Sequence, residues 1–414
     1  MSHVSHEVEK SLKISYLFSQ FPVPTQTFAS SDIDALLELG HIVTVHTIKP
    51  RNTATDADTG SPRLAERITI LRPSWRKAKR WPALIWRRRS YLRQLIGLIT
   101  PHLKGELRTA LVSLLCLPRV LEIIDEITRN QSDVVHVFWS RQAALVLPVL
   151  EKLGAPTVRS SFVGAYDLVA DDFLIDIALR HSNAVFSHAE VNRAYIAQKV
   201  PPGLPIHIIH RGIPLPAIPD DISRDESLWV TASALTKEKN VAGVISAFAL
   251  ARSLRPELRL VVCGDGPDRD RLEQLCRNCG CSDAITFNGH VQRSELFAIM
   301  HQAGVFVMLS KKASERLPNV VKEALWSGCF VITSNSAGIT ELIPNPSIGQ
   351  VVDPDDESAV RTAVERALNE DARSADERRR RAKALIATNF SSVANMRNYV
   401  AAWKQAMGNQ FRPG

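Results

Sequence analysis

Short apolar runs alternate with longer helical stretches along this sequence, in two series separated by a proline-rich break. Adjacent parallel strands need long, usually helical crossovers, so this alternation constrains the chain to an α/β fold with parallel sheets. In the first series, residues 12–17 read as a buried strand. Residues 28–39 have helical spacing at Phe28, Ile33, Leu36 and Leu37 and stop at Gly40, which suits the left-handed position after a helix. Strands are expected next at 42–48, 134–138, 157–161, 184–187 and 206–209. The stretch GIPLPAIPDDISRD, with Pro214, Pro216 and Pro219, reads as a linker. Beyond it, strands are expected at 229–232, 258–263, 285–287, 305–309 and 330–333, with helices at 241–254, 269–278 and 318–327. Two Rossmann-like doubly wound domains are implied, 1–215 and 222–388, with a ligand cleft where the carboxyl ends of both sheets face one another. A last helix, 389–407, carries Trp403 on its apolar face and is expected to return to the first domain.

Composition removes several classes. With 414 residues, 45% hydrophobic and 23% charged, the chain is neither disordered nor collagen-like, and it can bury a core without disulfides. Its six cysteines include three inside expected elements, as reduced apolar residues would be. The start, MSHVSHEVEKS, lacks the apolar core of a secretion signal, and no apolar run reaches spanning length. A cytoplasmic location is expected, or a peripheral one on the inner face of the cytoplasmic membrane.

The net charge of +8 is concentrated. Residues 67–105 hold eleven Lys and Arg and no Asp or Glu, leaving the rest of the chain slightly acidic. Within this segment Arg76, Lys77, Arg80, Arg87, Arg88 and Arg89 interleave with Trp81 and Trp86. Aromatic and cationic side chains on an apolar-faced helix suit an anionic membrane surface; an ordinary solvated helical face is the alternative. Nucleic acid is not expected, because no recognised binding fold accompanies the charge.

The segment SERLPNVVKEALWSG (314–328) follows an expected strand and opens a helix, with Pro318 at a first-turn position. Glu315 falls in the loop and Glu323 on the helix. Backbone amides of Leu317, Asn319 and Val320 at that helix start can receive a phosphate. The plainer reading is a loop glutamate and a surface helix glutamate, both solvated.

The Glu315-to-Glu323 spacing, with LPNVV between, resembles the EX7E motif of retaining family 4 glycosyltransferases, which share the GT-B fold. The likeness continues through VVCGDGPDRDRLE (261–273), ITFNGHVQRSELF (285–297), GVFVMLS (304–310), SAGITELI (336–343) and VVDPDDESAV (351–360). In the first domain, residues 16–36, 133–139 and 187–196 are similar to bacterial enzymes that build exopolysaccharide, capsule or colanic-acid-like units. The resemblance implies a hexosyltransferase-type enzyme that moves a sugar, with retention, from a nucleotide-diphosphate donor to a saccharide or polyprenyl-linked acceptor, with no metal cofactor. By it, Glu315 contacts the donor sugar, Glu323 the ribose, the backbone at His290 and Val291 the base, and Lys239 the pyrophosphate. A fixed cation and helix amides then stabilise the charge that builds on the departing diphosphate. On the acceptor side, Thr25, Gln26, Thr27 and Asp167 are the candidates.

Two positions depart from the family. Ala234 stands where an arginine usually clamps the phosphates, and Gly164 where many relatives carry a histidine; Arg159 or Lys237 could substitute for the arginine. These departures leave a silent GT-B scaffold subunit as the alternative, with a nucleotide-sugar epimerase third. Other signals are discounted. Gly264-Asp-Gly266 lacks the third glycine of a dinucleotide fingerprint. The cysteines at 276, 279 and 281 lack a second pair or a histidine at zinc spacing. Asp56 and Asp58 lie in a polar loop, and Ser187, His188 and Glu190 are too close in sequence to converge as a triad.

Overall fold

In the computed structural model, residues 11–23, 27–50, 64–73, 79–217 and 223–410 are described. The chain divides into two compact units. The first holds the chain up to His188, then Asn192–His210 and the residues from Asn395 onward; the second holds Ala189–Val191 and Arg211–Ala394.

The first unit is built on seven strands: β1 (Lys13–Phe18), β2 (Ile42–Thr47), β3 (Thr69–Leu71), β4 (Val134–Phe138), β5 (Val158–Phe162), β6 (Ala184–Ser187) and β7 (Ile206–Ile208). All pair in parallel, in the order β3-β2-β1-β4-β5-β6-β7. β4 is buried at every position, as a central strand covered on both faces must be. The terminal helix Ser392–Gln410 begins three residues later than the sequence pattern places it, after a separate helix Ala372–Asn389. Its Trp403 is fully buried, and the indole Nε1 donates to Ser160 Oγ on β5 at 2.9 Å.

The second unit has six parallel strands: β8 (Asp225–Ala232), β9 (Arg259–Cys263), β10 (Ile285–Gly289), β11 (Ala303–Met308), β12 (Phe330–Ser334) and β13 (Gln350–Val352). Their order is β10-β9-β8-β11-β12-β13. Both sheets thus reverse winding direction beside their first strand, at β1/β4 and at β8/β11, and such switch points are where open α/β sheets hold ligands. The helices Val241–Leu254 and Arg269–Asn278 have the bounds read from sequence.

Several elements were missing from the sequence reading, the helices Arg293–Gln302, Glu357–Leu368 and Ala372–Asn389 among them. β3 and β13 are three-residue edge strands, too short to show a period. The helix Leu107–Asn130 spans 24 residues with Pro118 inside it.

Candidate functional site

The switch point of the second sheet is assembled by two segments that follow β8 and β11. After β8 the chain makes a short turn at Lys237–Lys239, then caps the helix Val241–Leu254 with Asn240, whose φ of 50° is left-handed. Asn240 Nδ2 donates to Leu309 O at 3.0 Å, and the Lys311 amide donates to Glu238 O at 2.8 Å. These bonds hold the two segments side by side, so that the Lys239 ammonium donates to the Glu315 carboxylate, residues 76 apart in sequence. Ser310 Oγ donates to the same Glu315 oxygen at 3.3 Å.

The loop after β8 can lie this close to the loop after β9 because of Gly264. Its φ is +137°, and a Cβ there would sit 1.9 Å from Ser233 O. The Leu235 amide then donates to Asp265 O, and the Asp268 amide returns a bond to Leu235 O. The Gly264-Asp-Gly266 turn, which fails as a dinucleotide fingerprint, is therefore a close-approach device that shapes the path to Lys239.

Glu323 lies on the helix Asn319–Ser327 and is 6% exposed. Arg293, at the start of the helix Arg293–Gln302, donates to its Oε1 at 2.6 Å. This arginine had no place in the sequence reading, although it stands two residues after Val291 in the same GHVQR motif. His290 is exposed and Val291 half-buried, packed against the core under the sheet. Pro318 is not in the first turn but caps it in an extended conformation, φ −60° and ψ 130°, and the helix starts at Asn319. Leu317 and Pro318 are buried, while Asn319 and Val320 are half-buried at the end where backbone amides lack helical partners. Next to Glu323, Lys322 is fully buried. Its ammonium donates to Arg211 O at 2.8 Å and Asn319 Oδ1 at 2.9 Å and lies 5.3 Å from the Phe390 ring centroid, contacts that offset the cost of burying a cation.

Arg316 is a further cation beside Glu315. It is half-buried, and its Nε is closed to solvent with no hydrogen-bond partner; the guanidinium donates to the carbonyls of Ala313 and Glu315. Burial pushes its pKa below the ordinary arginine value. Ala234 is exposed, and Lys237 is exposed on the same loop. Arg159 lies in the first unit, where it donates to His181 O at 2.8 Å and pairs with Glu151 at 3.2 Å.

In the first unit, Asp167 follows β5 and is 1% exposed. Its two oxygens accept the amides of Ser140, after β4, and Gly164, each at 2.9 Å. Asp167 therefore staples two loops at the carboxyl end of the sheet. Burial pushes its pKa up to about 7, against the pull of those amides and of Arg141. A Cβ at Gly164 would meet the Phe162 ring at 3.0 Å, so that ring must give way to any side chain there, while Trp139 Nε1 lies at an ordinary contact distance of 3.5 Å. Thr27 opens the helix Thr27–Glu38. Thr25 and Gln26 lie outside the described residues, as do Asp56, Asp58, Arg76 and Lys77.

In the basic segment, Arg87 and Arg88 both pair with Asp125. Arg80 is exposed, Trp81 half-buried and Trp86 72% exposed, with the Arg89 guanidinium 5.2 Å from the Trp86 ring centroid. Cys276 and Cys281 are core residues beneath the second sheet, and Cys279 is exposed. Among the described residues, no helix is long and apolar enough to cross a membrane.

Comparison with known proteins adds a family. Residues 220–385 match the profile of the glycosyl transferases group 1. Glycogen synthase of Mycobacterium tuberculosis is 29% identical over 234 residues, 54% of this chain and 55% of that protein. The GDP-mannose-dependent alpha-(1-6)-phosphatidylinositol monomannoside mannosyltransferase of the same organism is 33% identical over 129 residues, 30% of this chain and 34% of that protein. The chain thus spans about half the length, or less, of these curated relatives. Among solved structures, Anabaena HepE in complex with UDP and glucose superposes with a TM-score of 0.68 at 15% identity, over 95% of this chain and all of that one. The lipopolysaccharide outer core galactosyltransferase WaaB does so with a TM-score of 0.64 at 13% identity, over 95% and 99%. At these identities the likeness establishes the two-sheet GT-B fold.

Proposed function

We propose, from the match of residues 220–385 to the group 1 glycosyltransferases, that this chain transfers a sugar, with retention, from a nucleotide-diphosphate donor to a growing or lipid-linked bacterial surface saccharide. The observation that carries this reading is the pair of carboxylates at one switch point, each already joined to a cation: Glu315 with Lys239, and Glu323 with Arg293. A nucleotide sugar presents complementary groups: hydroxyls for the carboxylates and phosphates for the cations. In this reading Glu315 faces the donor sugar, Glu323 the ribose, and the chain beside His290 and Val291 the base. Lys239, with the amides of Asn319 and Val320, stabilises the diphosphate as it leaves, and Arg316 supplies the second positive charge that Ala234 does not. No step here requires a metal ion. The first unit takes the acceptor near Thr25, Gln26 and Thr27, with Asp167 holding the loops around it.

The tightly packed Gly164 favours one second reading, a catalytically silent scaffold subunit of a polysaccharide-assembly complex. A thermal-shift screen against nucleoside diphosphate sugars separates the two, because a ligand that binds only the native state raises its stability. Transfer predicts a shift with at least one donor that disappears in Lys239→Ala and Glu323→Ala, together with release of nucleoside diphosphate when acceptor is added. No shift with any donor would favour the scaffold.

A further inference from the structure

We propose that the outer face of the helical hairpin formed by Arg89–Ile99 and Leu107–Asn130 docks on an anionic lipid surface. Both helices bury one side in the same core, through Leu95 and Ile99 on the first and Ala110, Leu117 and Val120 on the second. The opposite side of the second helix exposes leucines at every fourth position: Leu107 at 56%, Leu111 at 47% and Leu115 at 80%. Single exposed leucines are ordinary on a soluble protein; three in line on one helical face form an apolar stripe that is exposed among the described residues. Ile96 on the first helix is also exposed, and so is Trp86 on the preceding helix Trp81–Arg87.

Charge identifies the occupant. Arg93, Lys104 and Arg108 are exposed on these helices and their connection, and none forms an ion pair among the described residues. Between residues 79 and 119 Glu106 is the only acid, and it is engaged by the Phe173 amide and His102. Arg87 and Arg88 are instead turned to Asp125. A second copy of this chain would bring the same sign of charge to the stripe, and a nucleic acid offers nothing to the leucines. A bilayer with anionic headgroups satisfies both, taking leucine side chains below the headgroups and cations at them. This deepens the lipid-linked acceptor of the proposed function, on which it rests for its purpose but not for its observations.

The test is co-sedimentation of the full chain with vesicles of phosphatidylglycerol and phosphatidylcholine, against phosphatidylcholine alone. Binding is expected only to the anionic vesicles. Leu111→Ser with Leu115→Ser should weaken it by at least ~10-fold, and each of Arg93→Gln, Lys104→Gln and Arg108→Gln by about fivefold. The altered side chains are exposed, so Tm and nucleoside diphosphate binding should stay at wild-type values. Failure to bind anionic vesicles, equal binding to neutral ones, or unchanged binding by the leucine variant would overturn the proposal. A concentration-dependent dimer lost in the leucine variant would overturn it in favour of a self-interface. A wild-type chain that binds anionic vesicles but no nucleotide would instead refute the transfer reading and leave the docking surface standing.

Discussion

Replacing Glu315 by glutamine should tighten the binding of a free nucleoside diphosphate while abolishing most transfer. In the unliganded site Lys239 is already neutralised by Glu315, with side chains only 19% and 16% exposed. An incoming diphosphate must share or break that pair, and it also meets the negative charge of the carboxylate. Two unit charges 4 Å apart attract by about 4 kcal/mol at an effective dielectric of 20. Partial exposure and salt leave about 1–2 kcal/mol of that. Since 1.4 kcal/mol is a factor of ten, Glu315→Gln should improve the diphosphate Kd by roughly 10-fold. Lys239→Ala acts in the opposite direction, weakening the diphosphate and costing about 2.7–4 kcal/mol of transition-state stabilisation. Isothermal titration with the nucleoside diphosphate, lacking the sugar, isolates the phosphate contribution from any contact Glu315 makes to the hexose. An unchanged or weaker Kd in a Glu315→Gln protein of wild-type Tm would refute the charge argument and remove Lys239 from the phosphate site.

Other expectations follow from single positions. Gly264→Ala places a methyl group against Ser233 O at a left-handed φ and should destabilise the second unit by at least ~2 kcal/mol; an unchanged urea midpoint would contradict the close approach. Of the six cysteines, Cys279 is exposed, whereas burial raises the Cys263, Cys276 and Cys329 thiols to about 11. A native thiol titration should therefore show fast reaction at Cys279 alone, and denaturant should release the rest. Asp167 is raised to about 7 by burial while an unfolded aspartate titrates near ~3.9. Between those values the native state holds a proton that the unfolded state has lost, so this contribution to stability is complete below ~4 and falls as pH rises to about 7. The slope reaches at most ~1.4 kcal/mol per pH unit. Urea unfolding across that range should lose the slope in Asp167→Asn, and an identical slope in the variant would place the titration elsewhere.

What the sequence could reveal was periodic or local. Alternation located the long strands and fixed the helices Val241–Leu254 and Arg269–Asn278, because each carries its own repeat and its own stop. β3 and β13 escaped because three residues hold no period, and their pairing to β2 and β12 is decided by neighbours far along the chain. The helix Leu107–Asn130 escaped for a different reason. Its leucines face both the core and solvent, so the apolar pattern wraps around it and blurs the 3.6-residue signal, and Pro118 reads as a break. The exposed leucines that hid this helix are the ones that form the proposed docking stripe.

The same distinction governs the site. The spacing of Glu315 and Glu323 is visible in one motif, but their counter-ions are not: Lys239 and Arg293 arrive from 76 and 30 residues away through parallel crossovers. Sequence therefore finds the carboxylates and presents them as two acids, whereas the folded site is two neutral pairs. That difference changes the chemistry expected of it. A bare pair of acids would repel a diphosphate, and a bare pair of cations would hold it after the reaction. In the proposed reading, ion pairs that open when the donor enters and re-form when it leaves would let the same residues bind the nucleotide sugar and release the product. Ala234 itself offers no charge to the phosphates once Lys239 re-pairs. In the proposed reading that charge comes from Arg316, whose guanidinium has no carboxylate of its own among the described residues.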